Sequence, residues 1–258
     1  MKKVIAIVNQ KGGVGKTTTA VNLSSSLAIL KKRVLVIDLD SQANSTSGLG
    51  LSTKDDLKSI YDSIIDNTQL ENIVQKTEIE FLDIIPSSIS LVGAEVELIS
   101  MEEREFKIKK LLECKFIDDN YDYIILDCAP SLGLITINAL AAARSTLIPV
   151  QCEYYALEGL SNLFETIKII QTKINTYLEI EGILLTMYDH RLKLANQVVS
   201  DVKEHFSNMV FETIIPRNIK LSEAPSFGKP VILYDVISKG AISYLNLAKE
   251  IIQKHNNL

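Results

Sequence analysis

The chain has 258 residues and a mass of 28.7 kDa, enough for one sizeable hydrophobic core. A composition of 47% hydrophobic and 23% charged residues excludes the disordered, collagen-like and fibrous classes. Lys and Arg number 27 against 32 Asp and Glu, a net charge of −5, which on the whole-chain count argues against a surface built to hold nucleic acid.

The first element is the apolar run Val4–Val8. Preceded by Met1-Lys2-Lys3 it imitates a secretory signal, but Asn9-Gln10-Lys11 stops the run after five residues, and no later stretch approaches the length of a membrane span. Similar runs rich in Val and Ile recur at Val34–Ile37, Phe81–Ile85, Tyr123–Leu126, Thr146–Val150, Ile183–Met187 and Phe211–Ile215. Between most of them apolar residues are three and four apart, as in Ala20, Leu23, Leu27 and Leu30, or Leu160, Phe164, Ile167 and Ile170. Strands apolar at nearly every position, alternating with helices, predict an α/β fold: a doubly wound, mostly parallel sheet with helices on both faces. No linker, repeat or low-complexity tract divides the chain, so residues 1–258 are expected to form a single domain. The three cysteines, Cys114, Cys128 and Cys152, have neither disulfide-type nor zinc-type spacing, and a reducing, cytoplasmic location is expected.

In such a fold the chemistry lies just after the strands, at their carboxyl ends. The first strand runs into Asn9-Gln10-Lys11-Gly12-Gly13-Val14-Gly15-Lys16-Thr17-Thr18, with a helix expected from about Thr17. Glycines let consecutive N–H groups turn inward onto phosphate oxygens, and the helix N-terminus adds its positive end. Lys16 would reach the β and γ phosphates and the Thr17 hydroxyl would sit on Mg²⁺. The usual phosphate-loop pattern has a glycine at the place of Gln10, and a second lysine, Lys11, stands at the mouth of the loop instead. A dinucleotide fingerprint is the rival reading, but Thr18 occupies the place of its third glycine, where a branched side chain blocks close packing of helix on strand.

The second strand delivers Asp38-Leu39-Asp40, and the strand Tyr123–Leu126 delivers Asp127, four apolar residues followed by an acid as in a Walker B strand. A carboxylate at such a position can hold a metal-bound water, or orient the water that attacks a phosphoryl group.

The loop Lys11–Thr18, the stretch Val34–Thr46, the run Asp127-Cys128-Ala129-Pro130-Ser131-Leu132-Gly133 and the run Ile215–Ser226 together resemble the ParA/Soj family of deviant Walker A ATPases, from residue 2 to about residue 250. The resemblance implies ATP and Mg²⁺ as cofactors, with Lys11, Gly12, Gly13, Val14, Gly15, Lys16, Thr17 and Thr18 on the phosphates and Pro216 and Asn218 holding the adenine. It implies that Thr17, Asp38 and Asp127 surround the metal and that Asp40 supports attack by water. It further implies a homodimer built face to face on two ATP molecules, in which Lys11 reaches the partner's nucleotide. Arg191 and Lys220 would contact double-stranded DNA without sequence preference, placing the ATP-bound protein on the nucleoid. A ParB-type centromere-binding protein would stimulate an otherwise slow ATPase during chromosome or plasmid partitioning. Where the family commonly has Arg, Lys220 keeps the charge and loses bidentate geometry.

Relatives with this loop suggest alternatives. A MinD-like membrane-cycling protein ends in a basic amphipathic helix; here Ile242, Leu245, Ala248 and Ile252 mark a last helix, Ala241–Lys254, expected to pack on the sheet, so no stable membrane association is expected. A nitrogenase-reductase-like protein needs cysteines in glycine-rich settings, which are absent. The tyrosine-rich tail of a bacterial tyrosine kinase is absent too, and no substrate pocket points to a metabolic enzyme. His190 and His205 read as surface or helix residues. With the phosphate-loop strand starting at Val4, no N-terminal helix-turn-helix domain is expected. Residues 55–105 hold 13 acidic and 3 basic residues, which leaves 24 basic and 19 acidic residues elsewhere. The whole-chain charge therefore hides a mildly basic ATPase joined to an acidic segment, and two such basic faces in a dimer would hold DNA that one holds poorly.

Overall fold

Seven strands form one sheet: β1 (Lys3–Ile7), β2 (Val34–Leu39), β3 (Gln75–Lys76), β4 (Leu82–Ile85), β5 (Tyr123–Cys128), β6 (Ser145–Gln151) and β7 (Glu179–Thr186), in the order β3-β4-β2-β5-β1-β6-β7. All neighbours are parallel except β3, which pairs antiparallel with β4 at one edge. The computed structural model describes residues 2–52 and 57–256. Asp55 and Asp56 of the acidic segment, and Asn257-Leu258 after the last helix, lie outside the described residues.

Strand side chains alternate between two cores. Val4, Ala6, Leu35, Ile37, Ile124 and Leu126 face helices that include Lys107–Leu112, Leu134–Ala142 and Ala156–Lys173. Ile5, Ile7, Val34, Val36, Tyr123 and Ile125 face the helices Lys16–Ile29 and Lys239–Asn256. Period-2 geometry sends successive residues to opposite faces, and both faces are covered, so both sets are apolar. The Lys16–Ile29 helix buries a run of serines, Ser24, Ser25 and Ser26. Each hydroxyl donates to a carbonyl one turn back, at Ala20, Val21 and Asn22, so small polar residues pack without an orphaned group.

Two expectations are corrected. Phe211–Ile215 forms no strand. Phe211 N–H donates to Ile183 O (3.0 Å) and Ile215 N–H to Leu185 O (2.9 Å), but the N–H groups of Glu212 and Thr213 turn to the Glu250 carboxylate at 2.7 and 3.1 Å. A carboxylate on the last helix thus takes the donors a ladder would need. That helix runs Lys239–Asn256, and its buried stripe is Ala241, Tyr244, Leu247, Ala248 and Ile251. Leu245 and Ile252 are only partly buried, and Ile242 is 49% exposed. The inward position between Ala241 and Leu247 falls to Tyr244, whose hydroxyl lies 3.1 Å from Thr19 Oγ1. Among the described residues no helix is long and apolar enough to cross a membrane.

Gly182 in β7 is where the Phe211 ring presses on the sheet; a Cβ there would lie 2.5 Å from Phe211 Cε2. Gly182→Ala should lower stability by about 1–3 kcal/mol, read as a reduced urea midpoint at unchanged slope, and adding Phe211→Leu should recover part of the loss.

Candidate nucleotide site

After β1 the chain curls through the predicted loop and enters its helix at Lys16, one residue before the expected start. Gly13 and Gly15 have φ of +74° and +94°, left-handed values that favour glycine. Side chains fix the loop to its neighbours. Asn9 Nδ2 donates to Pro149 O (2.7 Å), Asn9 Oδ1 accepts from Lys11 N–H (3.0 Å), and Thr186 Oγ1 donates to Val14 O (2.8 Å). Gly12 is exposed, and a Cβ built on it meets nothing within 4 Å. Lys16 is buried, and its Nζ donates to Lys11 O at 3.1 Å. Burial pushes its pKa down, against the pull of Asp127, Cys128 and Asp40.

The two strand-end acids stand side by side. β2 and β5 pair in a register that sets Asp38 directly opposite Asp127, and neither is exposed. Asp38 accepts from Asp40 N–H (3.1 Å), Thr46 N–H and Thr46 Oγ1 (both 2.8 Å). Asp127 Oδ2 accepts from Ser45 Oγ at 2.7 Å, while Oδ1 is buried with no hydrogen-bond partner. The Thr17 hydroxyl faces the same carboxylate. Burial drives both carboxyls well above the ordinary range, and the charge of Asp38 pushes Asp127 further. An orphaned carboxylate oxygen beside a second buried acid and a threonine hydroxyl fits a divalent cation. Among the described residues no cluster of three or more His, Cys, Asp or Glu forms a metal cage, and a Mg²⁺ completed by phosphates and water needs none. Asp40, half-buried in the turn after β2, accepts from Gln42 N–H at 3.0 Å.

Pro216 and Asn218 join the loop around a cavity of about 330 Å³, whose walls include Gly15, Thr18, Thr186 and Met187. Met187 holds φ of +52° at the cavity wall, a strained backbone of the kind found at binding sites. A larger cavity, about 670 Å³ among Lys2, Arg33, Tyr121 and Tyr177, is lined by no phosphate-loop residue. Lys3 and Arg33 place it at the amino ends of the strands, away from the end where open α/β sheets bind ligands.

The segments carrying Arg191 and Lys220 are tied together: Tyr188 N–H donates to Ile215 O (3.1 Å) and Arg217 N–H to Tyr188 O (2.9 Å). Both cations are already paired. Arg191 grips Asp189 through Nε (2.9 Å) and an Nη (2.6 Å), and Lys220 Nζ lies 2.9 Å from Glu223 Oε2. Lys11 is paired too, its Nζ 2.6 Å from Glu153 Oε2. Sequence reasoning missed Glu153, Thr186 and Met187, although all three sit at the carboxyl ends of β6 and β7, where the strand rule directs attention. It also gave no role to Ser45 and Thr46, although both end the stretch Val34–Thr46 that carries the family resemblance.

The family model described as an AAA domain matches residues 2–180. The sporulation initiation inhibitor protein Soj of Bacillus subtilis is 56% identical over 97% of this chain and 98% of its own length. The chromosome partitioning protein ParA of Myxococcus xanthus is 51% identical over 98% of this chain and 88% of its own. Among solved structures, cobyrinic acid a,c-diamide synthase from Mycobacterium smegmatis with bound ADP and magnesium superposes with a TM-score of 0.86 at 32% identity, covering 99% of this chain and 96% of that one.

Carboxyls raised by burial bind protons on folding, so the ligand-free protein should gain stability as pH falls from about 8 to about 6. Asp127→Asn should remove most of that slope and stabilise the ligand-free protein at pH 8 by about 1–3 kcal/mol. It should also abolish the further stabilisation given by ATP with Mg²⁺. Urea melts with and without nucleotide across this pH range read all three effects.

Proposed function

The chain belongs to the ParA/Soj family of chromosome-partitioning ATPases, and on that premise we propose that ATP makes it a dimeric clamp on DNA which a ParB-type partner releases by stimulating hydrolysis. ATP and Mg²⁺ are its cofactors. Lys16, Thr17 and the loop from Lys11 to Thr18 bind the phosphates, Pro216 and Asn218 the adenine, and Thr17, Asp38 and Asp127 would hold Mg²⁺, which when bound neutralises phosphate charge. Asp40 orients the attacking water from its turn, and burial of Lys16 strengthens its hold on phosphate.

The observation that carries the reading is the continuity between nucleotide and DNA elements. Pro216 and Asn218 line the cavity, Lys220 follows two residues later, and the Tyr188–Arg191 turn is hydrogen-bonded to the same segment. A nucleotide that seats this segment also sets the posture of both DNA-directed cations. Lys11 can serve a partner's nucleotide once it leaves Glu153, and two copies of a weakly basic face then act with avidity. The apolar stripe of the last described helix is turned inward, so it is not available to lipid and does not favour a membrane-cycling role.

The deciding experiment measures DNA binding with ADP, with ATP, and with ATP plus Arg191→Glu across a salt series. Binding should require ATP, fall steeply with salt and be lost in the variant; a signal indifferent to nucleotide removes the clamp. The dimer has its own check. Because a Cβ on Gly12 meets nothing within the chain, Gly12→Val should fold and bind ATP yet elute as a monomer, whereas Asp40→Ala should stay dimeric with turnover reduced about 100-fold or more.

A further inference from the structure

The phosphate loop is tied by side chains to the strands beside it. Asn9 reaches β6 through its bond to Pro149 O, and Thr186, the last residue of β7, donates its hydroxyl to Val14 O at 2.8 Å. Thr186 is buried. Its own carbonyl accepts from Cys152 N–H (3.2 Å), and a Cβ built on Gly15 would lie 3.9 Å from its methyl. A β-branched side chain has little freedom at χ1, so the position of Val14 O is coupled to the backbone at the end of β7 and not to a side chain that can swing aside.

The next residue redirects the chain. Met187, in the cavity wall, has φ of +52°, a left-handed backbone that a residue other than glycine keeps only where its surroundings impose it. Beyond it the chain is braced. Tyr188 is held to Ile215 and Arg217 through its backbone, and its hydroxyl donates to Asn196 Oδ1 at 2.6 Å. Asn196 Nδ2 in turn donates to His190 O (2.9 Å) and Leu192 O (3.1 Å). Arg191, five residues after Thr186, is therefore carried on a rigid turn, and the joint between that turn and β7 is the strained Met187.

We propose that Thr186 is a positioning residue whose hydrogen bond to Val14 O passes the state of the phosphate loop through Met187 to the Arg191 turn. The inference rests on the nucleotide-dependent clamp proposed above, and it adds a link from the phosphates to the one made at the base by Pro216 and Asn218. A shift of Val14 when phosphate enters the loop is carried to the end of β7. Met187 has an ordinary backbone conformation open to it, so it is the point at which the turn can change posture as a body. The Asn9 tie has no such consequence, because it ends on β6, which leads to neither Arg191 nor Lys220.

The test uses the full chain with duplex DNA at fixed salt. Thr186→Val keeps the branched shape and removes the donor, whereas Thr186→Ser keeps the donor. The quantity read is the ratio of DNA affinity with a saturating non-hydrolysable ATP analogue to that with saturating ADP, so that a change in nucleotide affinity divides out. Thr186→Val should lower this ratio at least about fivefold, and Thr186→Ser should hold it within about twofold of wild type. Coupling is reciprocal, so the preference for the ATP analogue over ADP that DNA confers should fall by the same factor. Met187→Gly, which lets the joint bend freely, should lower the ratio as well. Equal weakening of DNA binding in both nucleotide states would make Thr186 a packing residue and overturn the proposal. So would failure of Thr186→Ser to rescue, or loss of the ATP-dependent dimer of Thr186→Val on a sizing column, which would place the effect in assembly. A wild-type protein whose DNA binding ignores nucleotide is a different failure, which removes the clamp and this link with it.

Discussion

Two carboxylates held side by side out of water are the constraint on which the rest of the site depends. Parallel pairing of β2 with β5 fixes Asp38 opposite Asp127, and the cores on both faces deny them solvent. The fold does not satisfy them fully. Ser45, Thr46 and the Asp40 N–H supply donors, and one oxygen of Asp127 is left over. A protein that holds such a pair is less stable without a cation than it could be, and a cation bound there would stabilise it. Lys16 faces the complementary difficulty, as a buried ammonium whose hydrogen-bond acceptor is a loop carbonyl. Triphosphate with Mg²⁺, placed as proposed, would relieve both difficulties at once, because it would bring the anion the lysine lacks and the cation the acids lack.

Much of this was legible in the sequence because the phosphate loop is a local code. Gly13, Gly15, Lys16 and Thr17 act through backbone conformation and reach over a few residues, so their spacing suffices to read them. The strand-end rule likewise gave Asp38 and Asp127, though not their register, which depends on strand order. What failed was non-local. Phe211–Ile215 has the composition of a strand, and only Glu250, 38 residues away in the chain, turns it from the sheet. Ile242 has the right period for the buried stripe, but Tyr244 is the residue that meets Thr19. Glu153 and Glu95 look like any solvated acid until the fold sets them against Lys11 and against the helix at Leu134.

Charge is sorted across the sheet in a way a net value conceals. The edge built by β3 and β4 carries the acidic segment, and the opposite edge, β7, leads into the Arg191 turn. The nucleotide loop follows β1, between β5 and β6. Segregation of this kind sets the acidic segment and the Arg191 turn apart by the width of the sheet, with the loop after β1 between them.

Lys11, Arg191 and Lys220 share a feature beyond their sign: each holds a carboxylate of its own chain, Glu153, Asp189 or Glu223. Binding phosphate is then an exchange of one oxyanion for another, not the capture of an anion by a bare cation. Exchange reactions of this kind have small net free energies and run readily in both directions. A single phosphate has little advantage over the resident carboxylate, whereas a triphosphate or a length of duplex displaces several at once. On the proposed reading the molecule would discriminate by the number and arrangement of phosphates, and would release them as readily as it binds them.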